Sequence, residues 1–281
     1  MLTVLEIIKK TTDFFAAKGI ESARLTAELL IGHALGLKRV ALYLQFERLL
    51  TEPELEKIRP LVRRRGQREP LQYITGETQF HGLTLKVDRR ALIPRPETEL
   101  LVELAAGACT TPPARVLDLG TGGGAIALAL AKVFPAAVVT ALDSSEEALS
   151  LARENAAATA LAERVTFLQS NWFERLPADA RFELIVANPP YLSAEETAQT
   201  TPEVHAHEPR GALISADGGL ADLRAIIGRA PRFLAPGGLL AVETGIAQHA
   251  ELLPLMREAG FARTESRPDL TGRERYVLAW L

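Results

Sequence analysis

A single cysteine, Cys109, stands among 281 residues. It excludes an intramolecular disulfide and any cage of thiolates around a metal, and its expected place is that of a small buried filler rather than a nucleophile. A strong charge of one sign is missing too: 32 Lys and Arg against 35 Asp and Glu leave a net charge of -3. That balance argues against a surface given over as a whole to gripping a phosphate backbone, though a local basic patch survives the argument. It points instead to a protein or a small molecule as partner. No apolar run approaches the roughly 18 residues of a membrane span, and MLTVLEIIKKTTDFFAAKG lacks a basic segment followed by a long apolar one. The expectation is a cytoplasmic protein in reducing surroundings, neither secreted nor membrane-bound.

What is present is apolar material: 47% of the residues, ample for one large core and a smaller one. From Leu5 to about Gln67 apolar residues recur at helical spacing, as in Leu25, Leu29, Leu30 and Ala34, with Gly36 placed to stop that helix. Thr51 and Glu54 have the form of a capping box, opening a helix whose Leu55, Ile58, Leu61 and Val62 make one stripe. It ends in Arg63, Arg64, Arg65 and Arg68, read as a solvated helix end that complements the helix dipole. Residues 1–72 are thus expected to form a small helical bundle. Two alternating runs, about Thr75 to Phe80 and Leu83 to Val87, flank His81-Gly82 and suggest a β-hairpin, so residues 73–92 are expected to link two domains. Pro96, Glu97 and Glu99 suit the first turn of a helix. Beyond Arg115, short β-rich runs (Val116 to Leu119, Val138 to Leu142, Val165 to Leu168, Leu184 to Ala187, Leu239 to Val242) alternate with helical segments. That rhythm is α/β, an open Rossmann-like parallel sheet covered on both faces, and residues 93–281 are assigned to it. The runs near Phe261 and Tyr276 to Trp280 have no clear helix between them and are expected to pair antiparallel.

The stretch VLDLGTGGGAIALALA puts Gly120, Thr121, Gly122, Gly123 and Gly124 between a strand and a helix, where missing side chains let a ligand approach the backbone. Asp143 ends the next strand, placed to accept hydrogen bonds from both hydroxyls of a ribose. These residues alone also satisfy a dinucleotide fingerprint. Asp118 separates the readings: a carboxylate two residues before the first glycine would repel a pyrophosphate, whereas S-adenosylmethionine carries a sulfonium and an ammonium and no phosphate. Trp172, after the third strand, would lie at the same edge and contact an adenine; a core aromatic under a loop is the plainer alternative.

Asn188-Pro189-Pro190-Tyr191 follows directly on the apolar run FELIVA. Asn-Pro and Pro-Pro both break strands, so a turn is the simplest reading. Behind a nucleotide-type loop another becomes stronger: the two N–H groups of a planar amide or aminopurine need two rigid acceptors, and the Asn188 side-chain oxygen with the Pro189 carbonyl supplies them. Tyr191 would stack on the held plane. The motif contains no general base, and no Ser-His-Asp or metal-ligand constellation competes. His205 and His207, either side of Ala206, read as loop residues rather than ligands.

With these placed, the chain resembles the PrmC/HemK family, the release-factor glutamine N5-methyltransferases. The likeness runs over nearly the whole length: ARLTAELLIGHALG, EPLQYITGETQFHGL, LIPRPETELLVE, EVHAHEPRGAL and DLTGRERYV accompany the glycine loop and NPPY. NPPY alone is shared with adenine methyltransferases; its combination with IPRPETE is the specific signal. The resemblance implies a class I methyltransferase fold. It also implies that Gly120 to Gly124, Asp143 and Trp172, with Asn188, hold S-adenosylmethionine, and that Asn188, Pro189, Pro190 and Tyr191 hold and orient a glutamine side chain. That glutamine would belong to a Gly-Gly-Gln loop of a peptide chain release factor, docked with help from the helical domain. Arg95, Glu97 and Thr98 match the junction motif without an assigned atomic role. The chain departs from the pattern at Gly123, where serine is frequent, at Asn171, where aspartate is usual, and in the order of ISADGGL. An adenine-N6 methyltransferase of DNA or RNA is the alternative, for which only Arg63 to Arg68 offers a basic track. A cofactor-binding scaffold without catalysis is a third, against which Asn188 and Tyr191 speak.

Overall fold

The helical periodicity at the start of the chain becomes helices Val4–Ala17, Ala23–Leu35, Arg39–Tyr43, Glu52–Gly66 and Leu71–Thr75 in a computed structural model that describes residues 2–281. Val4, Ile8, Ile31, Leu42, Leu50 and Ile58 bury one apolar cluster, and Phe15, Ile20, Ala27, Leu30 and Ile74 another. Thr51 and Glu54 form the capping box, and Gly36 ends its helix at φ 67°. Leu30 is buried, whereas Leu25 and Leu29 are largely exposed.

These helices, up to Gly76, form one unit together with Thr201–His207. That late segment changes the reading of the arginines. Arg65 is buried and meets Glu203 at 2.8 Å, Arg68 meets the same carboxylate at 2.7 Å, and Arg64 pairs with Glu69 at 2.8 Å. The expected solvated helix end therefore holds for Arg63 and the half-exposed Arg64, whereas Arg65 and Arg68 turn inward onto Glu203. A guanidinium as buried as Arg65 requires a carboxylate, and the sequence hides this one because Arg68 and Glu203 lie 135 positions apart.

The second unit comprises Glu77–Thr200 and Glu208–Leu281. It opens with the hairpin β1 (Glu77–Phe80) and β2 (Leu83–Lys86), turned by His81 and Gly82, both at positive φ. Thr75, expected in the first strand, instead closes a helix that Gly76 caps at φ 79°. The hairpin packs onto the larger unit. Phe80 and Leu85 enter its core, Lys132 Nζ donates to the carbonyls of His81 and Gly82, and Asn155 bonds both the N–H and the carbonyl of Lys86.

Alternating apolar runs then form β3 (Arg115–Leu119), β4 (Val138–Asp143), β5 (Val165–Gln169), β6 (Phe182–Ala187), β7 (Leu234–Glu243), β8 (Arg263–Pro268) and β9 (Glu274–Trp280). The seven-stranded sheet has the order β5-β4-β3-β6-β7-β9-β8. Strands β3 to β7 run parallel, and β9 pairs antiparallel with both β7 and β8. One face is covered by helices Pro96–Ala108 and Ala125–Val133, the other by Ala221–Phe233 and His249–Glu258. The chain moves outward from β3 through β4 to β5 and then returns to β6 on the other side. The switch point between β3 and β6 opens a crevice at the strands' carboxyl ends, where open α/β sheets bind ligands.

Candidate active site

A cavity of about 260 Å³ occupies that crevice. Gly120 and Gly122 form one wall; Asp143 to Ser145 close it from β4; Ser170, Asn171 and Trp172 come from the end of β5; Asn188 and Pro190 follow β6. Arg90 to Leu92 and the turn from Pro209 to Ala212 complete it.

The five loop residues singled out from the sequence divide by direction. Gly120 faces the cavity at φ 71°, and a Cβ there would lie 3.3 Å from the Trp172 ring. Gly124 faces the opposite way: a Cβ would come within 3.2 Å of Ala152 on helix Glu146–Ala158. Gly123 likewise points at Leu151, and Thr121 is buried with its hydroxyl on Asp118. Thr121, Gly123 and Gly124 therefore shape and pack the loop and do not line the cavity. Glycines that admit a ligand and glycines that admit a neighbouring helix look alike in a sequence.

Asp118 also departs from its expected place beside a ligand. It is fully buried and absent from the cavity wall. Its Oδ2 accepts from Thr121 Oγ1 at 2.6 Å and from the Ala127 N–H at 3.0 Å, tying the loop to an otherwise unpaired donor of the following helix. Among the described residues its buried Oδ1 has no partner, and burial pushes the carboxyl up to about 7. Asp143 does face the cavity. Its Oδ2 accepts from the Gly122 N–H at 2.8 Å and its Oδ1 from the Ser145 N–H at 2.9 Å, while burial raises its pKa. Each carboxylate oxygen has a second lone pair for a ligand.

Trp172 lines the cavity from a left-handed backbone conformation, φ 47°, which a bulky side chain adopts only under constraint. The constraints are local and distant: Ser170 Oγ donates to its carbonyl at 2.8 Å, and its Nε1 donates to Asp222 Oδ1 at 3.1 Å. Asp222 escaped the sequence reading, since its helix begins beyond the switch loops and carries no motif.

Asn188 stands where β6 releases the chain into the crevice. Its Nδ2 donates to Thr98 Oγ1 at 3.1 Å, and Thr98 Oγ1 donates to Glu243 Oε2 at 2.8 Å. The other oxygen of Glu243 accepts from the Tyr191 hydroxyl at 3.2 Å, which in turn accepts from Arg275 Nη1 at 3.3 Å. Burial raises the pKa of Glu243, with the Thr98 hydrogen bond and the Arg275 charge opposing; burial and the Glu243 charge raise that of Tyr191. Of the tetrapeptide, Asn188 and Pro190 reach the cavity wall, whereas Pro189 is buried and Tyr191 directs its hydroxyl to Glu243. The backbone is clamped as well: Gln248 Nε2 donates to the Tyr191 carbonyl at 3.0 Å, and a Cβ on Gly219 would strike that same oxygen.

The junction motif also acquires partners. Arg95 Nη2 meets Glu208 Oε1 at 2.5 Å, the Ile93 N–H donates to Glu208 Oε2 at 3.0 Å, and the Tyr276 hydroxyl donates to the Glu97 carbonyl at 2.7 Å. Glu243 had one legible signal: it is the lone carboxylate at the end of the apolar run LLAVE.

Two family models match the chain: the PrmC N-terminal domain over residues 6–76 and a methyltransferase domain over residues 111–268. The release factor glutamine methyltransferase of Geobacter sulfurreducens is 43% identical over 98% of this chain and 95% of its own length. The protein of that name from Chlorobaculum tepidum is 44% identical over 90% and 89%. Among solved structures, the hMettl16 catalytic domain superimposes with a TM-score of 0.58 at 17% identity, covering 82% of this chain and 80% of that one. The 16S rRNA methyltransferase RsmC of T. thermophilus gives 0.52 at 23%, covering 73% and 49%. At such identities these two establish the methyltransferase fold only. The near full-length relatives, 43% and 44% identical, go further: the chain belongs to the release factor glutamine methyltransferase family.

Proposed function

We propose that this protein transfers the methyl group of S-adenosylmethionine to the side-chain amide nitrogen, N5, of the glutamine in the Gly-Gly-Gln motif of peptide chain release factors, in the cytoplasm. The observation that carries this reading is the setting of Asn188. It stands on the cavity wall beside the glycine loop with Nδ2 engaged by Thr98, which turns Oδ1 toward a ligand.

The residues present fit the cofactor. Gly120 and Gly122 leave room against the backbone, Asp143 keeps a lone pair on each oxygen for the ribose hydroxyls, and Trp172 offers a ring face for the adenine. When bound, S-adenosylmethionine supplies a methyl group on a sulfonium, an electrophile that needs no acid to activate it.

The protein's own task is to bind and aim a poor nucleophile, an amide nitrogen whose lone pair is delocalised. Asn188 Oδ1 and the Pro189 carbonyl accept its two N–H groups and stabilise the positive charge that grows on nitrogen. Both are preorganised, since two prolines and the Gln248 clamp hold the backbone. Tyr191, with its hydroxyl anchored on Glu243, supports the held plane rather than donating to it.

A nucleic-acid substrate is disfavoured by the arginine cluster. Arg64, Arg65 and Arg68 are engaged by Glu69 and Glu203, which leaves little of the basic track that a flipped base requires. No described helix is long and apolar enough to cross a membrane. The test is transfer of labelled methyl to purified release factor beside short Gly-Gly-Gln peptide, DNA and RNA. One methyl on one glutamine of the intact release factor, with the peptide much poorer, is expected. Methyladenine with an unmodified release factor would refute the proposal.

A further inference from the structure

Glu243 closes β7 almost wholly buried, and each of its oxygens receives a hydroxyl proton, one from Thr98 and one from Tyr191. We propose that Glu243, acting through Thr98, is a positioning residue that fixes which end of the Asn188 amide faces the substrate, an inference that rests on the methyl-transfer reading above.

Proton counting carries it. A threonine hydroxyl has one proton to donate. Ionised, as two hydroxyl donors and the Arg275 charge favour, Glu243 only accepts, so Thr98 directs its proton to Glu243 Oε2 and its oxygen is left to accept. The partner at 3.1 Å must then donate, and Asn188 can do so only through Nδ2. Its Oδ1 is turned to the cavity as a consequence. Remove the carboxylate and the Thr98 proton is released to bond the amide oxygen. Asn188 then turns over and presents –NH₂ to the N–H groups of a substrate amide, donor against donor.

The second oxygen of Glu243 acts in the same sense on Tyr191. Arg275 donates to the Tyr191 hydroxyl at 3.3 Å, so that hydroxyl sends its own proton to Glu243. The tetrapeptide backbone is fixed separately, by Gln248 and by the close approach of Gly219. What Glu243 and Thr98 add is the orientation of a side-chain amide that backbone clamps cannot control.

The test uses the full chain with intact release factor. Thr98→Val keeps the shape and removes the hydroxyl, Thr98→Ser keeps the hydroxyl, and Glu243→Leu keeps much of the volume and removes both acceptor oxygens. Thr98→Val and Glu243→Leu should each lower kcat by roughly tenfold or more while cofactor Kd stays within about twofold, and Thr98→Ser should regain most of the turnover. Placed on Asn188→Ala, Thr98→Val should cost nothing further, because the amide it orients is gone. Should Thr98→Val fail to fold, Glu243→Leu decides the question alone. Native-like turnover in either variant overturns the proposal, as does a Thr98→Val loss undiminished on Asn188→Ala or confined to cofactor Kd. A native chain that leaves release factor unmethylated refutes the functional reading instead, so the two failures are distinguishable.

Discussion

The ring of Trp172 lies against Gly120 so closely that a Cβ on the glycine would stand 3.3 Å from its Cζ3. Any side chain there meets an aromatic held by Asp222 and a backbone at φ 71° that L residues rarely adopt. Gly120→Ala should therefore weaken cofactor binding by roughly tenfold or more, about 1.4 kcal/mol, read by calorimetry. Gly123→Ala is the control. Its Cβ would make an ordinary contact with Leu151 away from the cavity, so affinity should stay within about twofold of native. Equal losses at both positions would mean that the loop faces its ligand differently.

Asn188 and Asp143 stand on the same cavity wall but should fail in different ways. Asn188→Ala removes an acceptor that matters as charge develops, so methyl transfer should fall by about 100-fold or more with cofactor affinity nearly intact. Asp143→Ala removes the proposed ribose acceptors and the support of the Gly122 and Ser145 N–H groups, so cofactor Kd should rise first. Calorimetry and single-turnover rates on both variants separate the effects. Unchanged cofactor affinity in Asp143→Ala would remove it from the cofactor's site.

The parts legible in the sequence were those written locally. Apolar runs ending in Gly120, Asp143 and Asn188 located three strand ends, and the parallel sheet follows once helices intervene. The antiparallel pairing of β8 with β9 was legible for the converse reason, the absence of a helix between them. The pairing of Thr98 with Glu243 was not legible, because their hydrogen bond spans 145 positions and neither lies in a periodic pattern that marks a partner. Arg65 and Glu203 were missed for the same reason. Asp118 was read as a charge beside the ligand because a sequence shows charge and not burial; its partners turn out to be the loop and helix behind it.

Glu203 should matter to stability rather than chemistry. It neutralises Arg65, whose side chain is 8% exposed, and the less buried Arg68. Glu203→Ala leaves a buried guanidinium without a carboxylate, which costs on the order of 3 kcal/mol. Urea denaturation reads the loss directly. A change below about 0.5 kcal/mol would show the cluster to be solvated after all.

Asp118 should leave a pH signature on stability. Burial pushes its pKa up to about 7 from 3.8. Between those values the folded chain keeps a proton that the unfolded chain has lost, so this group's contribution is fully present below about pH 4 and disappears as pH rises through 7. Asp118→Asn stays neutral throughout. Its side-chain oxygen can still accept from Thr121 and Ala127, with its amide nitrogen in the place where Oδ1 lacks a partner. The variant should therefore gain on the native chain as pH rises from 5 to 8, by on the order of 2–3 kcal/mol, while other titrating groups cancel in the difference. Urea unfolding of both proteins at pH 5, 6.5 and 8 measures it. Parallel profiles would place the folded pKa of Asp118 near its ordinary value, and a relative loss by the variant at pH 8 would mean that an ionised carboxylate there stabilises the loop.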